Sequence, residues 1–216
     1  VRAYSWPKEN NGLHSIVALA HEIHRYGFIK IAPDDIGKKS SIKIFLSHAK
    51  AGDTGRRYAE AIKSFIDNTN MSRFFDATEI SPGFRFDEEI ERHISGSTFL
   101  AIESDAYSSR YWCQREVLSA KLHNRPILAV DCLEEFEDRV FPAASNIPCV
   151  HVPPDESLCD KDILRILVSA LLETIRHEHS IKSIRYYQSQ GWISSGCEIS
   201  PRPLEVRHAL LAKSKG

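Results

Sequence analysis

Five short, continuously apolar runs alternate with segments of helical periodicity over residues 42 to 177. Strands of that kind, each separated from the next by a helix, predict an α/β protein whose parallel sheet is covered by helices on both faces. Five strands suggest the flavodoxin-like order 2-1-3-4-5, with function at the carboxyl ends near the point where the order reverses. The chain has 216 residues, 42% hydrophobic and 26% charged, with a formal net charge of −1. That is one globular domain with appended segments, or at most two small domains, able to bury a core without disulfides or metal.

Residues 12–27 read as a helix, with Leu13, Ile16, Ala20 and Ile23 at helical spacing and Gly27 as a stop. The polar stretch 32–40 reads as a linker. The first strand is expected over Ile42–Ser47, and a helix from about Asp53 to Asp67 carries Tyr58, Ile62, Phe65 and Ile66 on one face. Arg73–Asp76 is expected as the second strand, followed by a loop through Phe84 and a helix bearing Phe86, Ile90 and Ile94. A third strand is expected over Thr98–Glu103, then a helix from Trp112 to about His123 burying Cys113, Val117 and Ala120. Pro126–Asp131 and Cys149–Val152 read as the last two strands, and a helix from about Asp160 to His177 closes the unit. Its stripe is Ile163, Leu167, Ala170, Leu171 and Thr174. The domain limits implied are 1–40 for an N-terminal helix and linker, 41–179 for the sheet domain, and 180–216 for a C-terminal extension. A chain that opens on Val1 and closes on Ala212–Gly216 reads as part of a longer polypeptide, leading to a further domain.

Composition narrows the function classes. No basic run stands out from its acidic neighbours, and Lys38-Lys39 and Arg56-Arg57 read as solvated faces, so no nucleic-acid contact is expected. The five cysteines are scattered, without a Cys-x-x-Cys pair, which argues against a disulfide framework or a zinc motif and fits a reducing, cytoplasmic setting. No apolar run approaches the roughly 18 residues that cross a bilayer, so no membrane partner is expected. His21-Glu22-Ile23-His24 spaces its histidines by three, whereas zincins need one full turn, i and i+4. No Gly-x-Gly-x-x-Gly follows a first strand, which excludes a dinucleotide-binding dehydrogenase.

The pair Trp112 and Glu116 is the most informative feature. Residues four apart share a helix face, so an indole and a carboxylate are neighbours there. A carboxylate beside an aromatic wall is partly desolvated, and can bind a ribose hydroxyl pair or stabilise a sugar cation. Alone, Trp-x-x-x-Glu more often marks an ordinary Trp next to a solvated Glu.

The framework around the pair resembles a Toll/interleukin-1 receptor (TIR) domain of the bacterial and plant kind. The resemblance covers residues 42 to about 175. It rests on Ile44-Phe45-Leu46-Ser47-His48-Ala49 with Asp53, on Phe74-Phe75-Asp76, and on the loop Ile80-Ser81-Pro82-Gly83. Ser104 to Cys113 leading into the Glu116 helix, Pro126-Ile127-Leu128 and Phe141-Pro142 complete it. The resemblance implies NAD+ as substrate, with no separate cofactor and no metal, and scission of the nicotinamide–ribose bond to linear or cyclised ADP-ribose. It implies Glu116 as the catalytic acid group, with Trp112, Ser47, His48, Tyr107 and Ser109 near substrate. Arg110 and Arg115 are weaker candidates for the phosphates. Asp76, Ile80, Pro82, Gly83 and Phe84 are implied in a loop that lids the site or meets a neighbouring protomer.

Self-association through TIR domains, a sensor or regulatory domain elsewhere in the polypeptide, and a role as a bacterial antiphage effector follow by the same analogy. The alternative is a catalytically weak TIR used as a scaffold for homotypic or heterotypic signalling. A nucleoside deoxyribosyltransferase is a third option, but it needs a second active carboxylate, and none stands out.

Overall fold

The computed structural model describes residues 12–28, 41–50, 54–73, 75–78, 92–137, 141–144, 146–154, 157–197 and 199–202. The chain divides into two compact units, Val1–Thr174 and Ile175–Gly216.

The first unit is built on a five-stranded, all-parallel sheet of order β2-β1-β3-β4-β5. Its elements are α1 (Leu13–Phe28), β1 (Ile42–His48), α2 (Thr54–Asn68), β2 (Phe75–Thr78), β3 (Thr98–Glu103), α3 (Tyr111–Leu122), β4 (Ile127–Asp131) and β5 (Cys149–His151), with the start of α4 (Asp160–Ser189). The α/β architecture and strand order are those expected from the alternating pattern. Every residue of β3 is buried, as a central strand covered on both faces requires.

Alternation along β1 sends Phe45 and Ser47 to one face and Ile44 and Leu46 to the other, and all four are buried. Phe45, Phe99, Ala101 and Ile127 form one apolar cluster with Tyr107 and with Cys113, Val117 and Ala120 of α3. Within it the Phe45 and Phe99 rings stack at 5.5 Å between centroids. The α2 stripe Tyr58, Ile62, Phe65 and Ile66 is buried as its periodicity predicts, and so is the α4 stripe from Ile163 to Thr174.

Three departures have local causes. The second strand begins at Phe75 rather than Arg73, because a 3-10 turn over Asn70–Arg73 intervenes. Thr69 builds that turn: its hydroxyl donates to the Phe65 carbonyl at 2.6 Å and accepts from the Met71 amide at 3.2 Å. In α1 the buried residues are Val17, Ala18, Ala20 and His21, whereas Ile23 is exposed, so the packed face is rotated from the expected stripe. The closing helix runs to Ser189, twelve residues past the expected stop at His177, because no Gly or Pro interrupts it. The linker 32–40 and the segment carrying Phe86 and Ile90 lie outside the described residues.

The second unit contains the last turns of α4. Gly191, at φ 74°, takes the left-handed conformation that closes a helix, and the Trp192 amide donates back to the Tyr187 carbonyl at 3.0 Å. Trp192 then stacks on Tyr187 at 5.6 Å, and Gln188 ties the following turn by donating to the carbonyls of Ser194 and Cys197. No helix among the described residues is long and apolar enough to cross a membrane.

Candidate active site

The carboxyl ends of β1 and β3 lie side by side, with Ser47 paired to Ala101 and His48 to Ile102. This is where the strand order reverses, the position at which open α/β sheets bind ligands. After β3 two tight turns carry the chain into α3: the Tyr107 amide donates to the Ser104 carbonyl at 2.8 Å and the Arg110 amide to the Tyr107 carbonyl at 3.1 Å. Glu116 stands three residues after Cys113 and four before Ala120, so it shares their buried face. That face lies on the side of the sheet to which Ser47 points.

Ser47, Tyr107 and Glu116 therefore meet. The Ser47 hydroxyl donates to Glu116 Oε2 at 2.5 Å and lies 2.7 Å from the Tyr107 hydroxyl. A hydroxyl has one proton to give. With the Ser47 proton committed to the carboxylate, Tyr107 is the donor to Ser47 Oγ. The chain Tyr107 to Ser47 to Glu116 thus points two successive donors at one negative charge. Tyr107 is fully buried, Ser47 is 1% exposed and Glu116 8%.

Burial is the main force on the titration of this group. It pushes the Glu116 carboxyl up to about 7, while the Ser47 hydrogen bond and the Lys50 charge pull it back down. The Tyr107 phenol is held well above its ordinary value by burial, then by Cys113 and Glu116, so it remains a donor throughout the physiological range. The Cys113 thiol is pushed up to about 12 by burial and then by Glu116. It is a packing group and not a thiolate nucleophile.

The other residues singled out from the sequence are placed differently. Trp112 is 42% exposed. The buried face of α3 centres on Cys113, Glu116, Val117 and Ala120, and the residue before Cys113 falls at its rim. The indole instead meets Tyr111 edge-on at 5.3 Å, and the Arg115 guanidinium lies 5.6 Å from the indole centroid. Glu116, on the buried face, is far more covered than Trp112 at its rim. Arg115 also donates to the Tyr111 hydroxyl at 3.4 Å.

Ser109 donates to the Ala106 carbonyl at 2.9 Å, a helix-entry bond. His48 is partly buried at the end of β1, its Nδ1 3.3 Å from the Ala49 carbonyl oxygen. Asp76 is exposed on β2 opposite Lys43 in the register, an opposite-charge cross-strand pairing. Asp53, Ile80, Pro82, Gly83 and Phe84 lie outside the described residues.

Three features of the rim escaped the sequence reading. Lys50 contributes its charge to Glu116 from just beyond β1, and a lysine three residues after Ser47 is the signal that was available. Gly55 begins α2 against the ends of β1 and β3, where a Cβ would stand 3.2 Å from Ser104 Oγ and 3.7 Å from His48 Cβ. Asp105 accepts from the backbone amides of Glu134 and Glu135 at 2.8 and 3.2 Å, pinning the loop after β4 to the loop after β3.

The fold and site define a doubly wound α/β domain that keeps one buried, hydrogen-bonded carboxyl at its switch point. The family model described as TIR domain matches residues 44–161, and the chain belongs to that family. TIR domains serve in signalling, commonly self-associate, and include NAD-cleaving enzymes. No curated protein matches the chain.

Proposed function

We propose that this TIR domain hydrolyses NAD+ at the nicotinamide–ribose bond, with Glu116 as the catalytic group. The observation that carries the reading is the buried Glu116 carboxyl held by Ser47 at 2.5 Å, with Tyr107 behind Ser47. A buried carboxyl at a strand-end crevice, with a hydroxyl donor and a lysine charge beside it, supports that role.

The chemistry requires only one such group. Nicotinamide in NAD+ carries a positive charge and leaves as a neutral base, taking the electron pair of the C–N bond, so no acid need protonate it. The ribose left behind is an oxocarbenium-like cation. An ionised Glu116 faces that charge from a site of low dielectric, where a fixed anion acts far more strongly than in water. Water then adds to the anomeric carbon and releases a proton, giving ADP-ribose. Attack by an atom of the adenine end instead gives a cyclised product. Trp112, Ser109 and His48 are candidate substrate contacts, and Ser47 and Tyr107 act through Glu116 as positioning residues.

The proposed setting is the cytoplasm, as an effector of bacterial antiphage defence that self-association switches on. The outward face of α3 supports the assembly component. Tyr111, Leu118 and Leu122 recur there at helical spacing and are 61%, 48% and 63% exposed. The same face is the observation that favours the second reading, a scaffold whose Glu116 serves packing alone.

Nicotinamide release from NAD+ by the purified protein, over a wide range of protein concentration and with Glu116→Ala in parallel, separates the two. Release that rises with concentration and vanishes in the variant is the expected result. No release at any concentration, by a protein that nevertheless self-associates, leaves the scaffold.

A further inference from the structure

Across the sheet from Ser47, the register assembles a second group of polar side chains. Glu103, Asp131 and His151 are partners in one row across β3, β4 and β5. Register partners on parallel strands share a face, and Cys149, two residues before His151, shares it too. Asp131, Cys149 and His151 each offer one ligand atom, all within 4.8 Å of one another. The His151 Nδ1 lies 2.5 Å from Asp131 Oδ2. Asp131 is partly buried, while Cys149 and His151 are exposed and open to solvent.

Behind them, Glu103 is 9% exposed, and its Oε1 is buried without a hydrogen-bond partner. A buried carboxylate oxygen without a donor is costly and rare in a folded protein. Glu103 is the register partner of Asp131, next to the cluster.

We propose that the carboxyl ends of β4 and β5 form a transition-metal site of the zinc class, with Asp131, Cys149 and His151 as ligands and Glu103, the register partner of Asp131, as a supporting carboxylate. One thiolate, one imidazole and one carboxylate are the donor set of zinc and not of calcium or magnesium, which take oxygen ligands. Binding replaces the proton that Nδ1 and Oδ2 share and displaces the proton of the Cys149 thiol, which passes to solvent.

The structural consequence follows from β5, which is only three residues long and lies at the sheet edge. A metal held by Asp131 on one strand and by Cys149 and His151 on the next clasps that edge strand to the sheet. The three ligands stand two and three strand steps of about 4.8 Å from β1, on β4 and β5, while Glu103 stands on β3, one step away.

The test uses the whole chain, stripped of metal by chelation and titrated with Zn2+, and with Co2+ as a spectroscopic probe. The expected results are one ion per chain, a thiolate-to-cobalt charge-transfer band, and a rise in Tm with added Zn2+. Cys149→Ser should abolish the band, and Cys149→Ser and His151→Ala should each weaken Zn2+ binding at least about tenfold, since both remove a direct ligand. Glu103→Gln should weaken it by about 10- to 100-fold, the usual effect of losing a carboxylate that supports a metal site. Cys159→Ser is the control and should change nothing, although Cys159 is also an exposed thiol beside a carboxylate, Asp162, at 3.0 Å. A band that survives Cys149→Ser, affinity unchanged in His151→Ala, or loss of binding in Cys159→Ser overturns the site. Unchanged affinity in Glu103→Gln overturns the role of the supporting carboxylate.

Discussion

Two buried carboxyls occupy the same face and the same edge of this sheet, and their surroundings differ in one respect. Burial pushes both Glu116 and Glu103 up to about 7. Around Glu116 the opposing influences are a hydroxyl donor, Ser47, and a cation, Lys50, which favour the ionised form. Around Glu103 the remaining influences are two more anions, Glu137 and Asp131, which oppose it. The first set of neighbours favours a negative charge at Glu116, as the proposed reaction requires. The second gathers carboxylates around a buried one, the surroundings from which the metal site is proposed. Equal titration thus arises beside opposite neighbours, and it is the neighbours that distinguish the two groups.

The largest effect that sharpens this contrast is expected from Glu116→Gln. Gln keeps the shape and loses the charge, so nicotinamide release should fall by roughly 10²- to 10³-fold, the loss typical when one stabiliser of a charged transition state is removed. Glu103→Gln in the same assay should lose far less, and comparable losses would break the division between the two sites.

Ser47→Ala comes next. Glu116 acts as an anion, so activity should climb as pH rises through about 7 and level off above. Removing the hydrogen bond that pulls the carboxyl down should move this rise to higher pH, with about a tenfold loss near neutrality that higher pH recovers. A pH–rate profile of Ser47→Ala that overlays the wild type would sink the role given to Ser47.

A third measurement reads both carboxyls through stability. Each has a folded value near 7 against an ordinary value of 4.5, so between those limits the folded chain keeps a proton that the unfolded chain has lost. Stability should therefore fall as pH rises from about 4.5 to about 7, and stay level above. With metal removed by a chelator, Glu116→Gln and Glu103→Gln should each flatten part of that fall in Tm, and the double variant more than either. A melting profile independent of pH over this range in the wild type contradicts the burial of both groups.

The smallest effect is expected from Trp112→Ala. A buried ring would cost roughly 3–5 kcal/mol. The half-exposed indole, held by Tyr111 and Arg115, should cost only about 0.5–1.5 kcal/mol in chemical denaturation. A KM for NAD+ that rises in a stable Trp112→Phe would make the indole a substrate contact.

Much of the fold was legible because buried parallel strands leave an unmistakable pattern. The runs at Ile42, Thr98, Pro126 and Cys149 predict their strands to within a residue or two, and the stripe from Ile163 to Thr174 predicts the buried face of the closing helix. The second strand was displaced because hydrogen bonds local to Thr69 outweighed an apolar pair, Phe74-Phe75, as a marker of strand onset. Glu116 was legible as a candidate from its spacing to Trp112, but not that it would be nearly buried while Trp112 stayed half-exposed. An i, i+4 spacing says that two side chains are close, and leaves open which of them the rest of the protein covers.

By itself, then, the sequence determined the architecture and the strand order, and singled out Glu116 as the candidate for the chemistry. Periodicity and local spacing are properties of the chain taken one segment at a time. Only the tertiary structure decided that Ser47, sixty-nine residues from Glu116, donates to it, and that Tyr107 stands behind them both. It alone brought Glu103, Asp131, Cys149 and His151 together from three strands. Those contacts depend on register, and register is set by the packing of whole faces, which no single segment contains.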